Sequence, residues 1–157
     1  VLWLYQSNPF MKENLKKEAY KHGVQPDRII FAKRLPHAEH LARHKHADLF
    51  LDTFNYNAHT TASDALWAGL PVVTKIGEQF SARVSASLLN AIGASELITE
   101  SEEEYETLIL ELASQPKKLK AIKEKIQANR LNHPLFDTEK YTKDFEKLLQ
   151  ESIALHR

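Results

Sequence analysis

The sequence contains no cysteine, which rules out a disulfide framework and a thiolate metal site. It has no excess of either charge, with 21 basic and 21 acidic residues. No global field therefore favours nucleic acid or an anionic membrane. No apolar run reaches membrane length, and no secretory signal pattern is present. Internal repeats and low-complexity segments are also missing. There is no initiator methionine, and the chain starts inside an apolar run, so it is expected to be a piece of a longer protein. The lack of cysteine fits a cytoplasmic location.

What is present is a chain of 157 residues, long enough for one domain with a substantial core. Strand and helix patterns alternate along most of it. Strands are expected at 1–6, 28–32, 48–52, 71–75 and 96–99, the third of them buried. Helices are expected at 12–22, 36–46, 60–68 and 81–91, with inward stripes Leu15 and Ala19, then Ala38, Leu41 and Ala42, then Val84, Leu88 and Ala91. Gly23, Gly69 and Gly93 each follow a predicted helix, where a stop is wanted. Ser101-Glu102-Glu103-Glu104 is a capping box opening another helix that carries Tyr105, Leu108 and Leu112. This alternation predicts an α/β fold with a Rossmann-like parallel sheet flanked by helices. After Pro116 the pattern becomes helical only. Leu119, Ile122 and Ile126 mark one helix. Asp137 or Thr138 caps a last one, with Tyr141, Phe145, Leu148 and Leu149 on its apolar side. Trp3, Trp67 and the tail aromatics are expected in the core.

The stretch from Asn57 to Pro71 holds the most chemistry. It reads as a loop opening into a helix, with Thr60 and Thr61 both plausible N-caps and Thr61 with Asp64 imitating a capping box. Ala62, Ala65, Leu66 and Gly69 form its inward stripe. The helix start follows a strand, at the sheet edge where open α/β folds bind ligands. Free amides, the helix dipole and two hydroxyls there suit an anion, most naturally phosphate. An ordinary capped helix is the other reading. Asp64 admits two readings as well, a ligand contact or a favourable charge early in the helix. Asp52, at the strand end, fixes the loop. His37, His40 and His44 share a helix face, but without cysteine a zinc site is not expected. A polar helix face is the simpler account, with His44 and His46 on the surface.

Leu51-Asp52-Thr53, Tyr56-Asn57-Ala58-His59-Thr60-Thr61, Asp64, Leu66-Trp67-Ala68-Gly69 and Pro71-Val72-Val73-Thr74 together resemble the donor-binding core of the O-linked N-acetylglucosamine transferases. With the SPINDLY-like proteins these form glycosyltransferase family 41. The resemblance extends to Val1-Leu2-Trp3-Leu4, Arg28-Ile29-Ile30-Phe31, Ser81-Ala82-Arg83-Val84 and Pro134-Leu135-Phe136-Asp137. It implies the carboxyl-terminal half of a two-domain GT-B glycosyltransferase, residues 1–157, with a helical tail over 117–157. The amino-terminal catalytic half and helical repeats of the family are absent from this chain. The implied reaction is inverting transfer of N-acetylglucosamine from UDP-GlcNAc to Ser or Thr hydroxyls of proteins, with no metal and no cofactor. The implied partners are a UDP-sugar and a protein acceptor met through the missing domains, not nucleic acid or membrane.

Carried over position by position, the Leu35 backbone would meet the uracil. His40 would contact base or sugar, and Arg43 the uracil edge. His37 stands where the animal enzymes use a ribose-binding lysine. His59, Thr60 and Thr61 would hold the diphosphate, and Asp64 a ribose hydroxyl. Gly77, Glu78 and Arg83 are weaker candidates near the sugar. No catalytic residue is assigned within the chain, which is expected to be inactive alone. Two alternatives accompany this expectation: protein O-fucosyl transfer from GDP-fucose, as in SPINDLY-like relatives, and a non-catalytic interaction domain retaining the fold.

Overall fold

A computed structural model describes residues 1–155. The chain divides into two compact units, residues 1–40 and the chain from Leu41 onward.

In the first unit, strand β1 (Leu2–Tyr5) is followed by helix α1 (Pro9–Lys21) and strand β2 (Ile29–Ala32). The strands pair in parallel, Leu2 opposite Ile29 and Tyr5 opposite Ala32. Helix α1 starts earlier than expected because Asn8-Pro9 is a strong start signal. The Asn8 side chain accepts the Met11 N–H at 2.8 Å, and proline at the first position has no N–H to lose. Leu15, expected inward, is 37% exposed. Helix α2 (His37–Arg43) begins in this unit, and Ala38 and Ala42 on it are exposed rather than inward.

The second unit contains β3 (Phe50–Leu51), α3 (Thr60–Trp67), β4 (Val72–Lys75), α4 (Val84–Ala91), β5 (Ile98–Thr99), α5 (Glu102–Ser114), α6 (Pro116–Asn129) and α7 (Thr138–Leu155). The strand order is β3-β4-β5, and both pairings are parallel. Val72, Val73 and Thr74 of the middle strand are fully buried, as a strand covered on both faces requires. The end strand β3 is shorter and more open than expected, with Leu51 exposed. Around β4 lie Ala62, Ala65 and Leu66 of α3, Leu89 of α4, Leu112 of α5 and Ile126 of α6. The Ser101 cap holds, its hydroxyl accepting the Glu104 N–H at 3.1 Å. The Glu104 carboxylate reaches back one residue further than the usual box, to the Glu100 N–H at 2.9 Å.

The helices and aromatics differ from expectation in further ways. The buried stripe of α4 is Ser85, Ala86 and Leu89, one position away from the predicted Val84, Leu88 and Ala91. A 3-10 turn at Phe80–Ala82 precedes the helix, so α4 starts later and is rotated. Trp3 and Trp67 are not core residues. Trp67 is 41% exposed and is flanked by Phe136, edge-on at 5.0 Å, and by the Arg130 guanidinium at 5.0 Å. Helix α7 is capped by Asp137, which accepts the Lys140 N–H at 2.9 Å. Its Tyr141, Phe145, Leu148 and Leu149 are nevertheless exposed. Residues 156 and 157 of the predicted tail lie outside the described residues. No helix among the described residues is long and apolar enough to cross a membrane.

Two of the helix-stopping glycines set up a comparison. Gly93 has φ +73, and a Cβ there would meet the His133 ring at 2.7 and 2.8 Å. Gly23 has φ +74, with nothing within 4 Å of such a Cβ. Gly23→Ala should therefore cost only the backbone strain, about 1 kcal/mol, and Gly93→Ala about 2–3 kcal/mol because a ring must also move. Urea unfolding of both variants measures the difference. Equal losses would show that the His133 side of the helix yields at no cost.

Candidate functional site

The loop between β3 and α3 is folded around one carboxylate. Asp52 is 4% exposed. Its Oδ1 accepts the N–H groups of Thr53 at 2.9 Å and Ala58 at 2.6 Å. Its Oδ2 accepts the Thr74 hydroxyl at 2.7 Å from the neighbouring strand β4. The Asp52 carbonyl accepts the Tyr105 hydroxyl from α5 at 2.9 Å. Thr99 on β5 donates to the Thr74 carbonyl at 3.1 Å, so hydroxyls link all three strands beneath the loop. Within the loop, the Thr53 hydroxyl donates to the Tyr56 carbonyl and the Asn57 amide to the Thr53 carbonyl at 2.8 Å. A buried carboxylate is tolerable here because charge-assisted bonds replace its water.

That loop delivers the start of α3. The N-cap is His59, and its side chain accepts no N–H of the helix among the described residues. Ser63 donates to the His59 carbonyl at 3.1 Å, which places Thr60 and Thr61 at the first two helical positions. Neither threonine is therefore the cap, and the predicted Thr61–Asp64 box is not the device that starts this helix. Both threonines are exposed. The helix thus presents first-turn amides that its own cap side chain leaves unsatisfied, with two hydroxyls beside them. Asp64 is half-buried, one turn on. The His59 ring stacks on Tyr56 with centroids 4.7 Å apart and planes 15° apart. Phe80 stands edge-on to it at 6.3 Å.

A second loop, after β4, is tied to the first. Ser81 donates its hydroxyl to the Asn55 carbonyl at 3.1 Å, and its carbonyl accepts the Asn57 N–H at 2.8 Å. Ser85 donates to the Ala58 carbonyl at 2.9 Å. Arg83, a candidate near the sugar, donates to the Gly77 carbonyl at 2.9 Å and so shapes its own loop. A Cβ on Gly77 would lie 2.7 Å from that of Ala82, which explains the glycine there. Glu78 is exposed.

Of the residues singled out from sequence, the fold gathers His59, Thr60, Thr61 and Asp64 onto one helical turn. Leu35, His37 and His40 belong to the first unit; Leu35 and His37 are exposed and His40 half-buried. Arg43 closes α2 and falls in the second unit. His44, expected on the surface, is buried, with Nδ1 3.3 Å from the Leu41 carbonyl. No group of three or more His, Cys, Asp or Glu among the described residues is placed to hold a metal. The sequence places Thr74 and Ser81 within the resembling segments and Tyr105 on its helix, but assigns no role to their hydroxyls or to Ser85. Ser85 lies off the stripe expected from sequence and on the buried one, so only the rotation of α4 reveals it.

Tyr105 carries a measurable signature. Burial, followed by the nearby Asp52 carboxylate, pushes its hydroxyl up to about 12 from 10.0. A raised folded value means that the folded state holds the proton longer. The associated stabilisation is full below the unfolded value and is lost as pH climbs through the folded one. Stability should therefore fall between pH 10 and about 12, and the decline should be shallower in Tyr105→Phe. Denaturant melts across that range, with ultraviolet titration of tyrosinate, provide the check. Parallel declines in both proteins would remove Tyr105 as the cause.

Comparisons with known proteins bear on the whole chain. The family model described as Glycosyl transferase family 41 matches residues 1–145. An Arabidopsis thaliana protein named as a probable UDP-N-acetylglucosamine–peptide N-acetylglucosaminyltransferase SEC is 39% identical over 157 residues, covering 99% of this chain and 16% of its own length. A Caenorhabditis elegans protein named UDP-N-acetylglucosamine–peptide N-acetylglucosaminyltransferase is 35% identical over 149 residues, covering 95% of this chain and 13% of its own. The solved structure of a lysine-to-methionine variant of the Thermobaculum terrenum O-GlcNAc transferase superposes with a TM-score of 0.89 at 28% identity. That match covers 96% of this chain and 29% of the other. The chain therefore spans less than a third of each of these proteins.

Proposed function

The chain belongs to glycosyltransferase family 41, and from that premise we propose that it forms the donor-binding part of an inverting protein glycosyltransferase. The full-length protein transfers N-acetylglucosamine from UDP-GlcNAc to Ser or Thr hydroxyls of proteins. The observation that carries this reading is the start of α3. Its own cap side chain makes no bond to the first-turn amides, Thr60 and Thr61 stand exposed beside them, and a buried carboxylate fixes the loop that delivers them. Such a helix start favours an anion, through the dipole and through directed N–H groups.

In the reaction, the acceptor oxygen attacks the anomeric carbon as the bond to the diphosphate oxygen breaks. The electron pair leaves with UDP, and the acceptor proton passes to a base that this chain is not assigned to supply. Negative charge grows on the departing diphosphate. His59, Thr60 and Thr61 stabilise it with donors already oriented, so no metal is needed. Asp64 accepts from a ribose hydroxyl. The roles of Leu35, His40 and Arg43 toward base and ribose rest on the family motif residue by residue, and His37 departs from it by replacing the ribose-binding lysine. We place the reaction in the cytoplasm, with helical repeats of the full-length protein selecting acceptors.

Competition between UDP and GDP for the full-length protein tests the reading. UDP should bind about tenfold tighter or better, and a chelator should leave that affinity unchanged. Equal or better GDP binding would favour a fucosyl donor instead, and loss of binding with chelator would reverse the metal-free assignment.

A further inference from the structure

We propose that Ser81 and Ser85 are positioning residues for the nucleotide-sugar donor, bracing the loop that aims the α3 amides. The inference rests on the donor reading above. Ser85 is the starting point. It is fully buried on the apolar stripe of α4, between Ala82 and Ala86 and one turn before Leu89. A hydroxyl at such a position costs free energy unless it is hydrogen-bonded, and alanine would fill the same space. The Ser85 hydroxyl donates to the carbonyl of Ala58, at 2.9 Å. Ala58 is the residue whose N–H is held by Asp52, at 2.6 Å. Both peptide groups that flank Ala58 are thus fixed, the one before it by Asp52 and the one after it, which leads into the cap residue His59, by Ser85.

Ser81 fastens the same loop upstream. Its hydroxyl donates to the Asn55 carbonyl and its carbonyl accepts the Asn57 N–H, at 3.1 and 2.8 Å. Asn57 is itself buried, whereas the bond from the Ser81 hydroxyl to the Asn55 carbonyl is exposed. The loop is therefore held by Asp52 and Thr74 from the sheet and by Ser81 and Ser85 from the loop and helix that follow β4. Amides that must meet a diphosphate bind best when already fixed, because ordering them on binding subtracts from affinity. Small displacements of positioned donors carry a large penalty. Neither serine needs to touch the donor for this effect.

The test uses the full-length protein and UDP as the probe. In Ser81→Ala/Ser85→Ala, UDP affinity should fall about five- to tenfold, and the donor KM should rise with the acceptor KM unchanged. Amide hydrogen exchange should quicken at 58–61 and not in the core strands. Ser81→Thr, which keeps the hydroxyl, should bind UDP like the parent, whereas Ser81→Ala alone should show part of the loss. If the double variant does not fold, the Ser81 pair decides the matter. Unchanged UDP affinity in the variants would overturn the proposal, as would a loss matched by faster exchange throughout the chain. A parent protein that does not bind UDP would overturn the donor reading itself, an outcome distinct from a variant that binds as the parent does.

Discussion

Replacing Thr60 and Thr61 together by alanine is expected to weaken UDP binding of the full-length protein by about a hundredfold or more, with little change in its melting temperature. The two effects separate because of where the fold puts these residues. They occupy the first two positions of α3 and are exposed, while His59 holds the cap position. Removing a capping threonine costs about 1 kcal/mol or more. Removing a solvent-facing threonine from a first turn costs little, and alanine is the better helix former. Binding is different. A hydrogen bond to a charged group is worth roughly 1.5–3 kcal/mol, and each 1.4 kcal/mol is a decade in affinity. Two such bonds therefore amount to at least about two decades. Calorimetric titration and thermal melts on one preparation measure both quantities. A variant that melts lower yet binds UDP like the parent would make this turn a helix start and nothing more.

Asp52→Ala is expected to produce the largest loss of stability, about 4 kcal/mol. The substitution strands two N–H groups and a hydroxyl that now point at the carboxylate, those of Thr53, Ala58 and Thr74. The Thr74 side chain is fully buried, so water cannot replace the lost acceptor there. Each buried donor left without a partner costs about 1–3 kcal/mol. Asp52→Asn should cost about half as much. It keeps one oxygen for the two N–H groups, and the Thr74 hydroxyl can turn to accept from the new amide. Urea unfolding ranks the three proteins. Equal losses for Ala and Asn would show that the charge itself, rather than the acceptor geometry, holds the loop. An alanine variant as stable as the parent would mean that the loop does not depend on this carboxylate.

Much of this fold was readable before any coordinates, because its signals are local. Gly23, Gly69 and Gly93 stop helices with φ of +74, +80 and +73, a conformation only glycine adopts without strain. Ser101 caps through a bond spanning three residues. The inward stripe of α3 follows from helical spacing alone, and the alternation of strands and helices implied parallel pairing. Each of these depends on neighbours within about one turn. The resemblance names His59, Thr60, Thr61 and Asp64 together, and the fold sets them on one turn at the start of α3.

What the sequence left open involves partners far apart. The bonds that build the loop join Asp52 to Thr74, Ala58 to Ser85 and Asp52 to Tyr105, separations of 22, 27 and 53 residues. They exist only because β4 lies beside β3 and because α4 and α5 pack on that sheet. Spacing along the chain carries no record of that adjacency. The rotation of α4 was hidden for a related reason: Val84, Ala86, Leu88, Leu89 and Ala91 offer two apolar stripes, and only packing selects one. Thr60 and Thr61 are better capping residues than His59, yet His59 holds the cap of α3. The bonds between the Asp52 carboxylate and the N–H groups of Thr53 and Ala58 fix where the loop ends. Residue types alone thus determined the elements and the chemistry available at 59–64. Tertiary structure decided which of those groups are held, which are exposed, and which distant side chains aim them, because burial in a shared core outweighs a local cap preference worth about 1 kcal/mol.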